Sequence, residues 1–213
     1  LARSAATPGQ IALPLGAAGA RAPTRIVIGN ANAAAVEALA EPEAWPFHVA
    51  VLTGPRRSGK SLIARWAAMR NISVIDGADA VEEDEVFHRW NAVQEGEAHE
   101  RTPLLLVADA QPWMIALPDL ASRLGGSLQL VIGAPDDAMA AALIEAHAEQ
   151  RGLPLADGAA EYLVPRSERS FAAIEALVAT IDRISLERAA PATMSIWRAA
   201  LEALEGPEQK RLL

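Results

Sequence analysis

The stretch Gly54-Pro55-Arg56-Arg57-Ser58-Gly59-Lys60-Ser61 fits the pattern G-x-x-x-x-G-K-[ST]. It lies between an apolar run, Phe47 to Leu52, and a run of helix formers, Ser61 to Arg70. That order predicts a buried strand, a tight loop and a helix in succession. The glycines let successive backbone amides curl into a nest for an anion at the start of the helix. Lys60 adds a point charge for the outer phosphates, and the Ser61 hydroxyl can ligate Mg²⁺. A chain with this feature is constrained to an α/β sheet with a phosphate site spanning Gly54, Pro55, Arg56, Arg57, Ser58, Gly59, Lys60 and Ser61.

Further apolar runs predict strands over Asn71 to Asp76, Leu104 to Asp109 and Leu128 to Ile132, and helices are expected over Asn32 to Ala40 and Asp84 to Glu95. Strands alternating with helices imply a parallel sheet covered on both faces, with ligands at the carboxyl ends of the strands. After Ala134-Pro135 no comparable strand follows. Four amphipathic stretches, 137–150, 157–165, 170–188 and 193–204, predict a small helical unit. Residues 1–24, rich in Ala, Gly and Pro, read as an extended arm, which gives three expected parts: arm 1–24, α/β base 25–135 and helical lid 136–213. Two strands end in an acid, Asp76 and Asp109, either of which suits Mg²⁺ held through water. Gly77 and Ala110 follow them where a second acid would orient an attacking water, so intrinsic ATP hydrolysis is expected to be weak or absent.

Composition narrows the partners. A net charge of −8 disfavours sequence-specific DNA binding by this chain, because phosphate neutralisation needs a basic face. The cluster Arg56, Arg57, Lys60, Arg65 and Arg70 reads as phosphate binding plus a solvated helix face. There is no cysteine, and His48, His88, His99 and His147 lack ligand spacing, which argues against a thiolate or imidazole metal site. No apolar run reaches the ~18 residues of a membrane span and no signal-peptide order is present, so a cytoplasmic protein without a membrane partner is expected. Trp66, Trp90, Trp113 and Trp197 read as packing anchors.

A P-loop α/β domain followed by four helices resembles the AAA+ superfamily. Leu117-Pro118-Asp119-Leu120-Ala121-Ser122-Arg123-Leu124 looks like the arginine-finger segment of DnaA, the bacterial replication initiator, and especially of its shortened Hda-type homologues. IGNAN, Ile28 to Asn32, resembles the segment that approaches adenine. VIDGAD resembles the Walker B strand, LLLVADAQP the sensor 1 strand, and Arg166 to Leu186 the third lid helix. The resemblance implies that Asn32 contacts the base of ADP or ATP, that Asp76 with Ser61 serves Mg²⁺, that Asp109 is sensor 1, and that Arg123 reaches a γ-phosphate held by a neighbouring subunit. Arg169 is the choice for sensor 2, although strict alignment to DnaA puts that role nearer Leu177. Only fifteen residues separate Lys60 from Asp76, which implies a sheet abbreviated by one strand and helix.

Gln10-Ile11-Ala12-Leu13-Pro14-Leu15 admits two readings. From its composition alone it is an arm that folds back and packs its apolar residues on its own domain. By resemblance it is the sliding-clamp motif of Hda-type proteins, with Gln10, Ile11, Leu13, Pro14 and Leu15 docking on the DNA polymerase III β subunit while Arg123 acts in trans on ATP-bound DnaA. The expected function is negative regulation of replication initiation. The alternatives are a nucleotide-binding, clamp-docked adaptor that promotes no hydrolysis, and a stand-alone ATPase. The sequence leaves homo-oligomerisation open.

Overall fold

The computed structural model describes residues 9–12, 25–95, 101–110 and 112–209. Two compact units emerge, one of residues 31–133 and one joining the described parts of 1–30 and 134–213. In the first unit the elements are α1 (Ala33–Ala38), β3 (Val49–Thr53), α2 (Lys60–Ala68), β4 (Ser73–Asp76), α3 (Glu83–Gln94), β5 (Leu104–Val107), α4 (Pro118–Gly126) and β6 (Leu128–Val131). The second contains β1 (Gly9–Ala12), β2 (Arg25–Ile28), α5 (Asp137–Arg151), α6 (Ala159–Leu163), α7 (Phe171–Glu187) and α8 (Met194–Gln209).

The sheet of the first unit is parallel throughout, in the order β4-β5-β3-β6. Val49, Val51, Leu104 and Leu106 share a buried cluster with Val86 and Trp90 of α3 and Leu120 and Leu124 of α4. The alternate residues Ala50, Leu52, Leu105 and Val107 are equally buried, so both sheet faces are covered. α2 packs on β4 and β5, and α1 on β6. The chain passes from β3 through α2 directly to β4, and the sheet of described residues has four strands, the abbreviated form expected from the short Lys60 to Asp76 interval.

Two local expectations give way. The strand anticipated from Phe47 begins at Val49, because Pro46 opens a single helical turn in which Phe47 and His48 take positive φ values of 56° and 55°. That turn puts the Phe47 ring against Trp90, with centroids 5.6 Å apart, and against Gly126, where an added Cβ would come within 3.2 Å of it. The second correction concerns residues 25–30, grouped by sequence with the base. β2 pairs antiparallel with β1, packs on α5 and carries an Arg25–Glu149 ion pair, so these residues cluster with the helical unit. Gly29 lies against α5, where any Cβ would meet the Met139 side chain at 2.8 Å.

The helical unit follows its sequence pattern. Phe171, Ile174, Leu177, Val178, Ile181 and Ile184 form one buried stripe of α7 at helical spacing. Ser170 and Asp136 cap α7 and α5 by accepting from the backbone N–H of Ala173 and Met139, at 3.2 and 2.8 Å. α5 stops at Gly152, which takes the left-handed conformation at φ 64°. No described helix is long and apolar enough to cross a membrane.

Leu106, fully buried in β5 between β3 and β4, anchors the first unit. Leu106→Ala should lower its unfolding free energy by about 2–5 kcal/mol, read from urea denaturation.

Candidate functional site

The loop after β3 is built as its sequence requires. Gly54 is buried at the strand end, where an added Cβ would lie 2.7 Å from Cβ of Ile132, so glycine alone lets the backbone pass. Gly59 starts α2 in the left-handed region at φ 84°, and Arg57 is also left-handed at 66°. Such backbone conformations cost a non-glycine residue about 1 kcal/mol or more and concentrate at ligand-binding turns. Pro55, Arg56 and Arg57 are exposed, as is Ser61 in the first turn of α2.

Lys60 is buried, with 5% exposure, and its ammonium has three oxygen acceptors: Gly54 O at 3.0 Å, Pro55 O at 3.1 Å and Asp109 Oδ1 at 3.0 Å. Those three account for all of its protons. Ser58 Oγ, by contrast, is buried without a hydrogen-bond partner. An orphaned hydroxyl inside a glycine-containing turn is what a bound phosphate would satisfy, so these residues fit a nucleotide. Gly54 to Ser61 would hold its phosphates and Ser61 the Mg²⁺, whose charge would offset that of the phosphates.

The sheet order carries the two aspartates to this end. β5 lies beside β3, and Ala108 N donates to Leu52 O at 3.0 Å, so Asp109 follows the last paired residue and meets Lys60. Asp76 is one strand further out, at the end of β4, and is exposed. Asn32 is buried, with 3% exposure, at the start of α1. Arg169 belongs to the helical unit and pairs with Asp137 at 2.8 Å, both side chains exposed, while Leu177, the alternative alignment for sensor 2, is 1% exposed in the core of α7. Of the clamp motif, Gln10 and Ile11 lie in the extended strand β1, opposite Val27 and Ile26. Leu13, Pro14 and Leu15 lie outside the described residues.

Arg123 is half-buried on α4. Its guanidinium stacks over the rings of Phe87 and Trp90 and donates to Asn91 Oδ1, all on α3. The backbone leading to α4 is held by acids that sequence reasoning missed. Asp79 accepts from the N–H groups of Asp109 and Ala110, at 3.0 and 2.6 Å, and Glu83 from those of Ala116 and Leu117, at 2.8 and 2.6 Å. Gly77 makes the first of these contacts reachable by turning the chain at φ 75°, so the residue that follows the β4 acid serves here as a bend. The available signals were the glycine inside VIDGAD and the spacing of Glu83, Phe87, Trp90 and Asn91 along one helix face.

Burial pushes the Asp79 carboxyl up, but the amides of Asp109, Ala110 and Asp79 itself, with the Lys60 charge, hold it below the ordinary aspartate value. A lowered folded-state pKa contributes stability that is full above the unfolded value, about 4, and is lost as pH falls through the folded one. Asp79→Asn should therefore be less stable than wild type at pH 7, and the gap should narrow below about pH 4 when followed by thermal melts across pH.

Comparison with known proteins fits this architecture. Residues 136–201 match the family described as Hda, lid domain. The Thermotoga maritima RuvB Holliday junction branch migration motor shares the fold at TM-score 0.52 and 17% identity, over 73% of this chain and 61% of that one, so the chain spans under two thirds of that motor. Domain III of the Thermotoga maritima replication initiation protein DnaA shares it at TM-score 0.58 and 14% identity, over 85% of this chain and 95% of that one. No curated protein matches in sequence. The chain therefore matches the Hda lid domain over residues 136–201 and shares the fold of RuvB and of DnaA domain III.

Proposed function

We propose that this chain is a cytoplasmic negative regulator of replication initiation that binds ADP or ATP with Mg²⁺, docks on the polymerase sliding clamp and presents Arg123 to ATP-bound DnaA. The carrying observation is the Hda lid match at residues 136–201, on a chain whose first unit has the P-loop fold. Hydrolysis would take place on the partner. An arginine placed at the developing charge of a transferring phosphoryl group is worth ~10³ to 10⁵ in rate. The chain's own hydrolysis would be weak, because Gly77 offers no carboxylate and Asp109 is engaged by Lys60.

The clamp motif supplies the tether. An extended segment lets the Gln10 amide find a polar site while Leu13 and Leu15 enter an apolar groove, and Pro14 lowers the ordering cost. The alternative of an adaptor without hydrolytic stimulation draws support from one feature: the Arg123 guanidinium is packed on its own α3.

Turnover of DnaA-bound ATP with loaded clamp separates the two. Wild type should accelerate it, and Arg123→Ala should lose that acceleration by about 10³-fold or to background. Equal stimulation by both sinks the finger assignment, and binding of DnaA with its ATP left intact favours the adaptor. Gln10→Ala combined with Leu13→Ala should abolish retention on immobilised clamp, and unchanged retention rejects the tether.

A further inference from the structure

The contacts around Arg123 have a common chemistry. Its guanidinium carbon lies 4.5 Å from the Phe87 ring centroid and 4.6 Å from that of Trp90, and it donates to the Asn91 amide oxygen. Phe87, Trp90 and Asn91 are spaced by three and four residues, so one stripe of α3 faces α4. All three contacts are neutral. Arg25, Arg89, Arg169 and Arg183 each pair with a carboxylate, whereas Arg123 has no carboxylate partner among the described residues.

The stripe is braced from behind. Trp90 is 6% exposed, its indole N–H donates to Ser127 Oγ at 3.3 Å, and that hydroxyl donates to the Arg123 carbonyl at 3.0 Å. The Phe47 ring also packs against Trp90, with centroids 5.6 Å apart. The cradle is therefore tied to the backbone of the residue whose side chain it orients.

A carboxylate in the place of Asn91 would hold the guanidinium more strongly, but it would also compensate the charge that a phosphate must feel. Two π faces and an amide oxygen restrict a flexible side chain and leave its charge available. We propose that Phe87, Trp90 and Asn91 are positioning residues, a charge-neutral cradle that aims Arg123 at a phosphate held by another subunit. This rests on the reading of Arg123 as a finger.

The test uses the full chain with loaded clamp and ATP-bound DnaA. Phe87→Leu keeps apolar bulk without a π face, and Asn91→Ala removes the acceptor. Each should lower kcat for the partner's hydrolysis about 3- to 30-fold, the range of one cation–π contact. KM for DnaA should stay within about twofold, since binding in the ground state is not the cradle's task. Phe87→Tyr should restore kcat, and Asn91→Asp should lower it despite forming a stronger contact. The Arg123 Nε–Hε resonance, shifted upfield by the rings, should move downfield in Phe87→Leu and return in Phe87→Tyr. Unchanged kcat in Phe87→Leu and Asn91→Ala while Arg123→Ala abolishes stimulation overturns the cradle and leaves the finger standing. Full activity in Arg123→Ala overturns the finger and the cradle's role with it.

Discussion

β3 is hydrogen-bonded on both sides by parallel strands, and the candidate nucleotide site is placed by that constraint. The ladders run past the strand ends, through Ala108 N to Leu52 O on one side and Ile132 N to Thr53 O on the other. Gly54 consequently emerges between two neighbours, with Ile132 so close that no side chain fits. The chain must turn there, and the turn buries the Lys60 ammonium against two loop carbonyls. Because β5 is the adjacent strand, its next acid, Asp109, completes the lysine's coordination. Taking an ammonium out of water is costly unless all its donors are met, so this arrangement fixes loop and strand ends together.

Charge is used in two opposite ways along the segment from Gly77 to Asn91. Asp79 and Glu83 spend theirs on four backbone amides of the 109–117 segment, which turns a connection between a strand and a helix into a fixed path. One and two helical turns further along α3, Phe87, Trp90 and Asn91 meet Arg123 through neutral groups, with no carboxylate partner among the described residues. The acids hold the approach to α4, and the neutral contacts restrain its arginine. α3 is thus the element on which both the 116–117 backbone and Arg123 lean, and its buried residues Val86 and Trp90 root it in the core cluster of the sheet.

What could be read directly from the chain was whatever depends on near neighbours. The strand, loop and helix around Gly54 to Ser61, the acids at strand ends and the stripe of α7 all follow from local spacing. The turn at Phe47 and His48 did not, because Phe-His-Val-Ala-Val-Leu is apolar throughout and the ring's partners, Trp90 and Gly126, lie far along the chain. The grouping of 25–30 with the helical unit was equally hidden, since a four-residue strand is assigned by its partner and β2 finds one in β1. Asp79 escaped notice for a similar reason: its role exists only once the end of β5 lies beside it.

The sequence by itself determined a P-loop on a parallel sheet, a helical continuation after Pro135 and the identity of the charged groups, because periodicity, glycine placement and strand-end acids act within a few residues. Tertiary structure decided which of those groups meet. Lys60 with Asp109, Asp79 with the amides beyond β5, and Arg123 with two rings and an amide of α3 join residues about 30 to 50 positions apart. Such pairings depend on strand order and helix packing, which no local pattern encodes. Among the described residues they leave Lys60 with a carboxylate partner and Arg123 with neutral contacts.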